Sequence, residues 1–177
     1  MFEIILGCIV FVALITLIII IYHNKYKSVI VKIEEAENNI GILLDKKLDL
    51  LKKCIAPIRR SLKDKTYMED LEEFSKREMT SLELHNYLRK NYNKLFKTLD
   101  ENEKLYKRKA LVSVIDELNE NEISLSASIK FYNDNVSINN KLVSTFPSNI
   151  IRIFFGYKSK DFYDNEKREV FEILKDK

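Results

Sequence analysis

Glycine and proline are scarce in this sequence. Its 177 residues include three glycines (Gly7, Gly41, Gly156) and two prolines (Pro57, Pro147). A β-sandwich or barrel draws on turn residues every ~8–12 positions, and that supply is missing. Glycines so far apart cannot form a phosphate-cradling loop or a dinucleotide fingerprint. The two cysteines, Cys8 and Cys54, have neither zinc-site nor disulfide-framework spacing. The histidines are His23 and His85, and no His-x-x-x-His, Cys-x-x-Cys or Glu-x-x-His pair occurs, so the sequence predicts no metal site, no cofactor and no catalytic residue. Net charge is +3, and no RNA-type aromatic motif accompanies it, so no nucleic-acid partner is expected. A chain with so little punctuation suits long helices.

One feature is present in excess. From Ile4 to Tyr22 the chain reads IILGCIVFVALITLIIIIY, a run without a charge. As a helix it spans about 28 Å, close to the ~30 Å hydrocarbon core of a bilayer. Residues 4–22 are therefore expected to contact lipid as a transmembrane anchor. A cleaved signal peptide would require a basic leader and a small-residue cleavage site, and Met1-Phe2-Glu3 supplies no basic residue. Lys25, Lys27 and Lys32 follow the run, so the positive-inside rule predicts an outside N-terminus and a cytoplasmic body.

Beyond the anchor the apolar residues recur at steps of three and four. Ile33, Ala36, Ile40, Leu43, Leu44, Leu48, Leu51, Ile55, Ile58 and Leu62 mark a first helix continuous with the anchor, with Lys46 and Lys47 among its polar positions and a kink expected at Pro57. Lys63-Asp64-Lys65-Thr66 ends it. A second helical region runs from about Tyr67 to Asn102, with a break where Thr80-Ser81-Leu82-Glu83 forms a capping box. A third starts near Lys107 and carries a heptad seam: Leu111, Ile115, Leu118, Glu122, Leu125, Ile129, Tyr132, Val136, Asn139, Val143, Phe146. Pro147 stops it. A short apolar segment, Ile150–Phe155, leads to Gly156, and a last amphipathic piece runs from about Asp161 to Lys175. The predicted architecture is all-α: a transmembrane helix continuing into an antiparallel bundle of three long helices with a short C-terminal helix.

Several residues invite a sharper reading. Glu122 and Asn139 interrupt the seam; they set register or, with Tyr132, line a ligand pocket between helices. Cys54, beside Ile55, reads as a buried inert thiol. The basic run Arg59-Arg60-Ser61-Leu62-Lys63-Asp64-Lys65 reads as a solvated helix end matched to the helix dipole.

The segment Phe131-Tyr132-Asn133-x-x-Val136-x-x-x-Asn139-x-x-Leu142-x-x-x-Phe146-Pro147-Ser148-Asn149, with Phe155-Gly156-Tyr157 and Phe162-Tyr163 after it, resembles the C-terminal signature of the LemA family of bacterial membrane proteins. Glu35-Ala36-Glu37-Asn38-Asn39-Ile40 and Leu44-Asp45-Lys46-Lys47-x-Asp49-Leu50-Leu51 are similar to that family's first-helix signature, and Tyr26 falls where the family places a tyrosine just past its anchor. The chain departs from the pattern at Glu37, Lys52, Lys53, Ser128, Ile129 and Ile138. The resemblance implies an anchor over 1–24, a LemA-like bundle over 25–164 and a tail over 165–177. It implies location in a bacterial cell membrane and no assigned chemistry. A membrane-tethered interaction module with an unidentified protein partner is expected, with a ligand-binding or sensory domain as the alternative. The signature itself reads as structural: Ser148 or Asn149 caps the short helix, Phe154 and Phe155 fold back on the bundle, and Gly156 permits the reversal.

Overall fold

The computed structural model describes residues 1–74 and 79–163. Most of the amphipathic piece expected from Asp161, and the whole 165–177 tail, lie outside the described residues. The chain is all-α: α1 (Phe2–Leu62), α2 (Glu69–Glu72), α3 (Ser81–Asp100), a 3-10 turn (Glu103–Lys107), α4 (Lys109–Ser144) and α5 (Ser148–Phe155). No strand occurs among the described residues. The apolar N-terminal run and the first body helix form one uninterrupted element, as the absence of any breaker between Tyr22 and Ser28 predicts. Pro57 lies inside α1, and the helix continues past it to Leu62.

Two compact units divide the chain, Met1–Ala36 with Lys130–Lys177, and Glu37–Ile129. In the first, α1 begins as a candidate membrane span. Its most apolar 18-residue window has a mean hydropathy of 3.4, and none of its residues is buried. Within this run the Thr16 hydroxyl donates to the Val12 carbonyl at 2.9 Å, so the side chain satisfies itself on its own helix. From Tyr26 the helix acquires a buried face of Tyr26, Val29, Ile33 and Ala36, which steps by three and four. In α4 the matching buried stripe is Tyr132, Val136, Asn139 and Val143. The seam ends there. Phe146, expected as its last member, is 78% exposed, because the chain has left α4 after Ser144. The Phe146-Pro147 peptide is cis.

The second unit is built on the rest of α1, on α3 and on the first part of α4. Segments of α1 and α4 run antiparallel, since Asn39 meets Ser128 while Lys46 meets Glu117. Ile40, Leu44, Leu51 and Ile55 of α1, Leu84, Leu88, Leu95 and Leu99 of α3, and Leu111, Ile115, Leu118 and Leu125 of α4 form its core. Each such side chain contributes about 1.5–3 kcal/mol when fully buried. The α1–α3 connection closes locally. Asp64 Oδ1 accepts from the Thr66 amide and hydroxyl, and Arg59 Nε donates to the Tyr67 carbonyl. Arg59 is thereby committed to the turn and to Glu72, rather than being simply a solvated end. The expected capping box is present: Thr80 accepts from the Glu83 amide, and Glu83 accepts from the Thr80 amide at 2.8 Å.

Candidate functional site

The densest polar arrangement in the first unit lies along one face of α4. Asn139 Nδ2 donates to the Lys158 carbonyl at 2.9 Å. Asn140 makes a two-point contact with residue 160: its Nδ2 donates to the Lys160 carbonyl, and its Oδ1 accepts the Lys160 amide, both at 2.9 Å. Asn133 Oδ1 accepts the Tyr163 amide at 2.9 Å, and the Tyr132 hydroxyl donates to the Asp161 carbonyl at 3.0 Å. Residues 158–163 therefore lie along α4 with their backbone groups answered by side chains. An amide side chain offers one donor and one acceptor at the spacing of a peptide group, so asparagine can replace a neighbouring strand. Phe162 is buried between these contacts, and the Tyr132 and Tyr163 rings meet edge to face at 5.0 Å.

Above α5 an aromatic cluster closes the turn. The Tyr26 hydroxyl donates to the Ser148 carbonyl at 3.2 Å. The Tyr26 ring stacks on Tyr157 with centroids 4.2 Å apart, and the Tyr157 hydroxyl meets His23 Nδ1 at 3.0 Å. Burial pushes the Tyr26 and Tyr157 phenols above their ordinary range. Gly156 makes the reversal possible. It sits at φ +71, and its amide and that of Tyr157 both donate to the Arg152 carbonyl. Ser148 does not cap α5. Pro147 holds the N-cap position, and the Ser148 hydroxyl donates backwards to the Leu142 and Thr145 carbonyls. Nor do the phenylalanines both fold in. Phe154 is 79% exposed, while Phe155 is half-exposed with its ring 4.4 Å from that of His23.

The second unit holds a buried charge. Lys47 is 0% exposed, although its place in the sequence suggests a solvated face. Its Nζ lies 2.5 Å from Glu122 Oε2 and 4.8 Å from the Tyr92 ring centroid. Desolvation pushes the Lys47 pKa down; Glu122, by hydrogen bond and charge, pulls it up without restoring it. Nearby, Asn121 Nδ2 donates to the Leu43 carbonyl at 3.0 Å, and the Tyr92 hydroxyl donates to Asn119 at 3.1 Å. Cys54 is fully buried, and burial alone pushes its thiol up to about 11.

A family description matches residues 36–173, covering more than half of the chain. The chain belongs to the LemA family. No curated protein and no solved structure matches it.

In this LemA protein the signature residues divide by task. Tyr132, Asn133 and Asn139 converge on one segment, 158–163, together with Phe162. Pro147, Gly156 and Phe155 shape the α5 turn. The side-chain amide of Asn149 holds a buried oxygen without a hydrogen-bond partner. Of the three residues read as a pocket, Tyr132 and Asn139 share that segment, and Glu122 pairs with Lys47 in the other unit. Sequence reasoning missed Asn140 and Lys47. The Asn139-Asn140 doublet was legible, because asparagine is a poor helix former and two in succession within a helix call for a reason. Lys47 carried no such signal.

Proposed function

We propose that this LemA protein is a membrane-tethered interaction module without catalytic activity. Its N-terminal run anchors it, and its helical body lies in the cytoplasm and presents a face to a protein partner. The observation that carries the reading is the continuity of α1. The same helix is apolar and unburied over its first turns and then joins a packed face from Tyr26 onward. A lipid-embedded helix that passes unbroken into a core holds that core at a fixed distance from the bilayer. The polar side chains that the fold buries support the same reading. Tyr132, Asn139, Asn140 and Lys47 are each spent on contacts within the chain. The orientation rests on Lys25, Lys27 and Lys32 following the run.

Protease treatment of intact cells tests the topology. The body should survive until the membrane is permeabilised, and digestion from outside would reverse the orientation. Crosslinking of the full-length protein in its own membrane, followed by purification, tests the partner. Recovery of the chain with nothing attached, at every crosslinker length, would remove the interaction role.

A further inference from the structure

α5 presents an apolar face that nothing within the described chain covers. Ile150, Ile153 and Phe154 follow the spacing of one helical face, and Phe146 precedes them in the turn before α5. Phe146, Ile153 and Phe154 are each at least three-quarters exposed. In a water-soluble domain a patch of this kind marks an interaction surface. Here its position identifies what covers it. A cavity of about 670 Å³ separates α5 from α1, and its α1 wall is Ile15, Ile18 and Ile19. Those three residues belong to the anchor run itself. Ile15 lies seven positions before Tyr22, or about 10 Å inside the edge of the run along a helix axis. The opposite wall includes Phe146, Ile150 and Phe154. A groove with one wall made of the membrane span opens at membrane depth.

From this geometry we infer that α5 is a second membrane-embedded element, inserted into the body-side leaflet beside the anchor, and that lipid acyl chains fill the groove between them. The inference rests on reading the start of α1 as an anchor. The amides at both ends of α5 are consistent with it. Hydrocarbon accepts a short helix only if its polar groups are answered within the protein. At the start of α5 the Asn149 and Ile150 amides donate to the Thr145 and Pro147 carbonyls, and the Ser148 carbonyl accepts from Tyr26. At its end the Gly156 and Tyr157 amides both return to the Arg152 carbonyl. Arg152 is exposed, and its long stem lets the guanidinium reach the headgroup layer while the helix lies among acyl chains. The ring cluster of His23, Tyr26, Phe155 and Tyr157 then falls at the depth of an interfacial aromatic belt.

The sequence contains no tryptophan, so a single introduced indole reports its own surroundings. Full-length Phe11→Trp, Phe154→Trp and Ile123→Trp variants are reconstituted into phosphatidylcholine–phosphatidylglycerol vesicles with brominated acyl chains. Helical content is checked by circular dichroism, and Phe146→Trp replaces Phe154→Trp should the latter misfold. Phe11 reports the anchor, and Ile123 is an exposed residue of the second unit. The tryptophans at 11 and at 154 or 146 should emit at short wavelength and lose intensity to the brominated lipid. The one at 123 should be quenched by aqueous iodide. If the α5 tryptophan is quenched by iodide, or by neither agent because protein covers it, while the one at 11 is quenched by lipid, α5 is not embedded and the anchor stands. If the tryptophan at 11 escapes the brominated lipid, the anchor reading fails and the α5 inference falls with it.

Discussion

A single asparagine does the work of a strand in the first unit. Asn140 engages both the amide and the carbonyl of Lys160, and its neighbour Asn139 engages Lys158. Asn140→Ala removes three hydrogen bonds from a buried site, two to residue 160 and one accepted from Asn139, each with a net value of about 1 kcal/mol. The variant should lose about 2–3 kcal/mol in a urea titration of the detergent-solubilised protein. It should also be cut faster than the wild type between 157 and 163 in limited proteolysis. The Lys47–Glu122 pair predicts an asymmetry. Glu122→Gln leaves a buried ammonium without its countercharge and should cost about 3 kcal/mol. Lys47→Met leaves a carboxylate that is already part-exposed and fills the space with an apolar stem, so the loss should be clearly smaller. Unfolding of the two variants side by side checks the order. These residues also mark where sequence reading runs out. The burial of Leu44 or Leu51 follows from periodicity, but the burial of Lys47 depends on Glu122, 75 positions later, and on the Tyr92 ring.

Among the helices, ends were more legible than faces. Thr80 and Glu83 identify the start of α3 because a capping box is a local matter: both donors and both acceptors lie within four residues. Thr80→Ala should cost about 1 kcal/mol, and Thr80→Ser should restore most of it, as read by thermal unfolding in detergent. Gly156 was legible for the same reason, since only glycine takes φ +71 without strain and α5 ends there. The end of α4 was harder to read. The seam points to Phe146 as a core residue, but the helix stops at Ser144 and the side chain turns outward. Serine at 148 looks like a cap, and instead its hydroxyl closes the end of α4 by donating to the carbonyl of Leu142 in that helix and to that of Thr145 just past it. In both places periodicity and capping preference describe an isolated helix. The outcome was decided by the turn between two helices.

At the scale of the molecule, the buried acids set a response to alkali. Burial holds the thiol of Cys54 and the phenols of Tyr26, Tyr67, Tyr87 and Tyr157 above their ordinary values of 9.0 and 10.0. The unfolded chain therefore releases these protons first, and stability falls as pH rises past about 9. Lys47, whose pKa is lowered, has the opposite sign: the unfolded chain keeps that proton longer, which favours the fold as pH climbs toward 10.5. Five groups oppose one, so the unfolding temperature should drop steadily between pH 9 and 11. A flat profile over that range would show that the phenols and the thiol are solvated. The sequence by itself determined the helical class, the apolar N-terminal run and its continuation through α1, because hydrophobic period, length and missing turn residues are properties of neighbours along the chain. Membership of the LemA family was legible too, in the Tyr-Asn and Phe-Gly-Tyr signatures. Only the tertiary structure decided what those signatures do. Asparagines on α4 hold residues 158–163, Lys47 is buried, and Phe154 of α5 faces outward. Each of these depends on which distant groups meet, and a buried polar atom is stable only where its partner arrives.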